Sequence, residues 1–144
     1  MGLIHQWHEC LGMPKNDEAW HRQDLQDELE ELAEAQGLVN RWSEYSDVVY
    51  TYTRAHWSGH AGIQNPLGFW GYVWGLLYMF PKYTLRWLFY RRAGKRMNSQ
   101  VALTEVRNPQ KTEKLSKIAE KYGLDAVRFE AICREQLRYW PLLK

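Results

Sequence analysis

The chain has 144 residues, of which 45% are hydrophobic and 25% charged, with 19 Lys and Arg against 17 Asp and Glu. Such a chain can bury a core without disulfide staples, and its net charge of +2 demands neither nucleic acid nor an anionic membrane as partner. Cys10 and Cys133 make no disulfide framework and are expected to be partly buried structural thiols in a reducing compartment.

The first residues carry no apolar signal region, and Gln6 stands where a myristoylation signal needs Ser or Thr, so a cytoplasmic location is expected. Residues 3–11 read as a short helix stopped by Gly12 and Pro14. Asn16 or Asp17 caps the next helix, which extends to about Gln36 with Gly37 just past its end. A second long helix is expected over residues 39–57. Val48, Val49, Thr51 and Thr53 favour a strand locally, but the spacing Trp42, Tyr45, Val49, Tyr52 is a helical stripe. Residues 58–66 read as a loop.

Residues 67–80 hold no charge. They are too few to span a bilayer, which takes about 20 residues, so a buried helix is favoured over an interfacial anchor. Pro81 is expected to end this segment and to begin another helix over 82–93. Residues 94–107 look irregular, with a short extended piece at 101–106. Asn108-Pro109 reads as the start of a helix reaching Tyr122, Gly123 ends it, Asp125 caps the last helix and Pro141 closes it. The expected fold is all-α: an antiparallel helical bundle built around an acidic helix hairpin, with a C-terminal helical appendage from residue 108.

The hairpin carries the chemical signal. Glu28 and Glu31 are three apart and share a helical face, as do Glu44 and Asp47. With a reversal centred between Gly37 and Leu38, Glu31 faces Glu44 and Glu28 faces Asp47. Four carboxylates meeting across a hairpin repel unless cations sit among them. Hard oxygen donors without Cys or His suit Mg2+, with Mn2+ as a substitute, rather than zinc. Against this stands an acidic face that is merely solvated, since residues 17–34 hold eight acidic side chains. Glu31 and Glu34 form an alternative first pair, and Glu34 is also a candidate water-activating carboxylate.

These two pairs, Glu28-Leu-Glu-Glu31 and Glu44-Tyr-Ser-Asp47-Val-Val-Tyr, resemble the E-x-x-E and E-x-x-D motifs of the MazG-like all-α nucleoside triphosphate pyrophosphohydrolases. Twelve residues separate Glu31 from Glu44, at the short end of the family range. The layout is similar to small members encoded by tailed bacteriophages, which would place the protein in a host cytoplasm. The resemblance covers about thirty residues well. It implies a catalytic domain over 1–107, Mg2+-dependent cleavage of a nucleoside triphosphate to monophosphate and pyrophosphate, and a homo-oligomer. The implied metal ligands are Glu28, Glu31, Glu44 and Asp47. Arg54, Lys82 and Arg86 are the candidate phosphate ligands, while Trp20, Trp42, Tyr50 and Trp57 are candidates for stacking on the base.

The rival reading is a non-enzymatic helical module that binds nucleic acid or a membrane surface and merely displays an acidic face. Glu18-x-x-His21 is half of a di-iron motif that lacks its second half. His56 and His60 read as exposed loop histidines. Residues 115–129 have a helix-turn-helix rhythm, but Glu130 and Glu135 interrupt the Arg128, Arg134 and Arg138 face, so a packing appendage over 108–144 is expected and DNA is not.

Overall fold

The computed structural model describes residues 2–140 and 143. All six regular elements among them are α-helices, as expected: α1 Leu3–Leu11, α2 Glu18–Glu34, α3 Leu38–Trp57, α4 Phe69–Arg96, α5 Thr112–Lys121 and α6 Ala126–Leu137. The chain forms two compact units, residues 1–81 and 82–144, and α4 runs through the boundary. The expected division at 107/108 lies inside the second unit.

In the first unit α2 and α3 pack as an antiparallel hairpin. Asp17 is the N-cap of α2, its side chain accepting from the Trp20 amide at 2.8 Å. The helix stops at Glu34, short of Gln36, because Ala35 turns extended. Gly37 therefore does not terminate α2. Its φ of +83° lets it lead into α3 instead. At the other end of α3, Gly59 with φ +104° completes a Schellman reversal in which His60 N–H reaches the Ala55 carbonyl. The hairpin core is Leu25, Val48, Ala55 and Ile63, flanked by Leu29, Leu32, Tyr52 and Leu67. Each fully buried aliphatic side chain there contributes roughly 1.5–3 kcal/mol.

The first helix docks on α3 through polar contacts as well as rings. His8 Nε2 lies 2.9 Å from Thr53 Oγ1, and Trp57 Nε1 donates to Glu9 at 3.0 Å. Thr53 Oγ1 also lies 2.8 Å from the Val49 carbonyl of its own helix, an acceptor for its hydroxyl proton. Burial, with nearby Arg54, pushes the His8 imidazole down to about 3.

Residues 67–80 and 82–93 do not form separate helices. Pro81 lies inside α4. The proline removes the donor for the Leu77 carbonyl, but both residues are exposed, so that carbonyl is on a face water can reach. The periodic burial of Gly75, Met79 and Tyr83 then carries one helix through the proline. No helix among the described residues is long and apolar enough to cross a membrane.

The second unit closes the end of α4, α5 and α6 around Phe89, Tyr90, Ala93, Leu103, Leu115, Ile118, Phe129 and Cys133. The extended piece expected at 101–106 pairs with no strand among the described residues. Asn108-Pro109 forms a turn, with Asn108 accepting from Gln110 N–H, and α5 starts only at Thr112. Gly123 with φ +65° does end α5, and Asp125 does cap α6, accepting from Arg128 N–H at 2.7 Å. Pro141 lies outside the described residues. Arg134 is engaged by Glu130 and Thr112. Cys133 is buried and its thiol is pushed up to about 12 by burial, whereas Cys10 is exposed rather than partly buried.

Two glycines of α4 make contrasting predictions. A Cβ on Gly75 would stand 2.6 Å from the Tyr45 carbonyl oxygen and the Val49 side chain, and the backbone atom cannot yield cheaply. Gly75→Ala should cost about 1–3 kcal/mol in urea unfolding despite its gain in helix propensity. At Gly71 the nearest atoms are at 3.4 Å, ordinary contact. Gly71→Ala should be neutral or stabilising by up to about 1 kcal/mol.

Candidate metal centre

The apolar seam between α2 and α3 has an acidic edge. Glu28, Glu31 and Glu44 each present a carboxylate oxygen, and these oxygens lie within 4.8 Å of one another. Asp47 is the strongest charged neighbour of Glu28, as expected for residues facing each other across the hairpin. Glu28, Glu44 and Asp47 are half-buried, while Glu31 is exposed. Glu34 is exposed at the last residue of α2 and outside the group, so the pair brought to the opposite helix is Glu28 and Glu31.

Two full negative charges about 5 Å apart repel by roughly 3 kcal/mol at an effective dielectric of about 20, less where solvent screens Glu31. The cluster answers by holding a proton. Burial first, then Asp47, Glu31, Asp24 and Glu44, raise the Glu28 carboxyl to about 8.

Asp24 is the residue that the sequence reading missed. It lies one turn before Glu28 on α2, is half-buried, and is hydrogen-bonded by the Thr51 side chain of α3. Burial raises its carboxyl, against the pull of the nearby Arg54 guanidinium. Extending the Glu28/Glu31 face by four residues would have found it. The outcome is two facing rows: Asp24, Glu28 and Glu31 on α2, and Arg54, Thr51, Asp47 and Glu44 on α3.

Arg54 sits at the inner end of these rows rather than on an open face. It is 7% exposed, donates from Nη2 to the Pro14 carbonyl at 2.8 Å and lies 5.0 Å from the Trp20 ring centre. Lys82 and Arg86 belong to the second unit, where both flank the Tyr83 ring and Arg86 reaches the Val106 carbonyl at 3.5 Å. Among the stacking candidates, Tyr50 and Trp57 are buried, and Trp42 donates its indole N–H to the Trp74 carbonyl at 2.6 Å. Trp20 alone of the four is exposed.

The histidines also differ from expectation. His56 lies on α3 and donates to the Ile63 carbonyl, and His60 donates to the Asn16 carbonyl, so both are half-buried structural groups. Glu18 turns to Arg22, away from any shared work with His21. His21 is fully buried, and neither ring nitrogen meets a hydrogen-bond partner among the described residues. Burial, with Arg54 and His60, lowers it to about 4.

Comparison with protein-family models, with curated proteins and with solved structures finds no match for this chain. The donor set itself is the available test of fit. Three convergent carboxylates, with a fourth beside them and no thiolate or imidazole in the group, suit a hard divalent cation.

A pH prediction follows from the sign of these shifts. Glu28 binds its proton more tightly folded than unfolded, so its contribution to stability is fully present below about 4.5 and is lost as pH rises through about 8. His8 and His21 act oppositely: neutral when folded, they withdraw stability as pH falls below 6.5 toward their folded values of about 3 and 4. In chelator-containing buffer, urea unfolding of Glu28→Gln should lose the wild-type decline between pH 6.5 and 8. An unchanged decline contradicts the assignment to Glu28.

Proposed function

We propose that this chain is a Mg2+- or Mn2+-dependent nucleoside triphosphate pyrophosphohydrolase whose metal ligands are Glu28, Glu31, Glu44 and Asp47. The observation that carries the reading is the convergence of carboxylate oxygens from α2 and α3 within 4.8 Å of one another. The two motif pairs resemble those of the MazG-like family, which supplies the reaction. A bound divalent cation would neutralise the leaving pyrophosphate and lower the pKa of an attacking water.

The chain's own residues set the terms for that cation. Glu28 is protonated at neutral pH without metal, so binding releases a proton and strengthens as pH rises. Asp47, on the opposite helix, is the carboxylate that most strongly raises the Glu28 pKa. Thr51 hydrogen-bonds Asp24 behind Glu28, and the buried Arg54, bonded to the Pro14 carbonyl, favours the charged form of Asp24; burial makes Arg54 a support of the carboxylate row rather than a phosphate ligand. The same elements explain why the cluster survives without metal: the hydrophobic seam beneath it keeps the helices together.

The test pairs product analysis with a variant. With Mg2+, nucleoside triphosphates should yield monophosphate and pyrophosphate, and Asp47→Asn should lower kcat on the order of 100-fold, the scale that losing a metal-orienting group costs. Melting of the metal-free variant should hold or rise, because the amide removes one like charge. Release of orthophosphate and a nucleoside diphosphate contradicts the reaction. Near-normal turnover in Asp47→Asn contradicts the site, and no turnover together with no metal-induced rise in Tm leaves the non-enzymatic module.

A further inference from the structure

The net charge of +2 conceals a segregation along the chain. All 17 acidic residues lie in 1–47 and 105–144, so residues 48–104 hold none. That stretch holds seven Lys and Arg, and six of them are on α4, between Lys82 and Arg96. The helix is therefore purely cationic, its charges gathered in its second half and its first half uncharged.

The exposed side of α4 is just as one-sided. Trp70, Trp74, Leu77, Pro81 and Leu88 are exposed, and Arg92 and Lys95 continue the series. On an ideal helix these positions fall within an arc of about 60°, a single stripe about 38 Å long. Apart from Phe69 at its first residue, α4 exposes nothing else. A solvent-facing stripe ordinarily carries mixed polar and charged side chains, whereas this one is apolar and then basic. The burial expected over residues 67–80 holds for Gly75 and Met79 on the opposite side, but Trp70 is 69% exposed and Leu77 59%. The helix cannot rotate to hide them, because the Gly75 side packs tightly against Tyr45 and Val49 of α3.

Chemistry decides between partners. Tryptophan rings favour the headgroup level of a bilayer, leucines the edge of the acyl region, and Lys and Arg reach the lipid phosphates. An anionic lipid surface attracts a basic segment that carries no acid to oppose it. Nucleic acid would use the cations but gives Leu77, Pro81 and Leu88 nothing to do. An apolar protein surface would leave Arg92 and Lys95 without counter-charge on the same stripe.

We propose that this stripe of α4 lies on an anionic phospholipid surface, with Trp70, Trp74, Leu77 and Leu88 entering the boundary between headgroups and acyl chains and Arg92 and Lys95 meeting lipid phosphates. The helix lies in the plane of the surface and does not cross it. The proposal does not depend on the catalytic reading.

Co-sedimentation of the full chain with vesicles tests it. Wild type should pellet with phosphatidylcholine/phosphatidylglycerol vesicles and far less with phosphatidylcholine alone, and rising salt should release it. Leu77→Glu and Leu88→Glu, at exposed positions, should each lower the partition coefficient roughly tenfold with unchanged far-ultraviolet circular dichroism. The double variant Arg92→Glu/Lys95→Glu should weaken binding to the anionic vesicles and flatten its salt dependence, a readout that stands if an apolar variant loses structure. Wild type left in the supernatant with the anionic vesicles overturns the proposal, in favour of nucleic acid if it is retained on DNA and of a second copy if it sediments as a dimer. Equal binding to both vesicle types overturns the anionic assignment, and binding unmoved by every variant overturns the stripe.

Discussion

Everything at the acidic edge depends on the packing of α2 against α3. Leu25, Val48, Ala55 and Ile63 are buried between them, and their burial brings the carboxylates of Glu28, Glu31 and Glu44 together. The hydrophobic gain of several side chains outweighs a few kilocalories of repulsion, and the remaining electrostatic strain appears as a proton held on Glu28 near neutral pH. Under the proposed function a divalent cation would replace that proton. The strain stored by the fold would then be relieved by the ligand, linking stability, pH and metal affinity at one site.

Behind the carboxylates, the hairpin becomes a buried polar layer. Thr51 hydrogen-bonds Asp24, Arg54 is fixed beside it by the Pro14 carbonyl, and Thr53 is hydrogen-bonded to His8. Groups fixed this way have few alternative rotamers, so the carboxylate cluster stands on a rigid base. Arg54 also helps keep His8 and His21 neutral, since a second positive charge in that layer would be repelled.

The sequence made the hairpin legible because its signals are local. Asp17 is a cap, Gly37 permits the reversal, and the three-residue spacing of the acids fixes which face they share. The parts that sequence alone misjudged depend on distant partners. Pro81 is a helix-breaker by itself, yet it is tolerated because it and Leu77 lie on an exposed face. Asn108-Pro109 has the composition of a helix start but closes a turn. Glu105 lay in a stretch read as irregular, yet it is buried with Lys121 at 2.8 Å and Arg107 at 3.9 Å, a cost that no local pattern announces. Arg54 read as a phosphate ligand because its burial, against the Pro14 carbonyl 40 residues earlier, comes from a segment distant in the chain.

The central claim is that a shared carboxylate cluster, strained without metal, is built to take a divalent cation. A carboxyl-carbon NMR titration of Glu28 tests it most directly, first in chelator and then with saturating Mg2+. The account predicts an apo midpoint near 8 that falls well into the acid range when metal is present. A midpoint near the ordinary glutamate value of about 4.3 in chelator, or one that Mg2+ leaves in place, would contradict it.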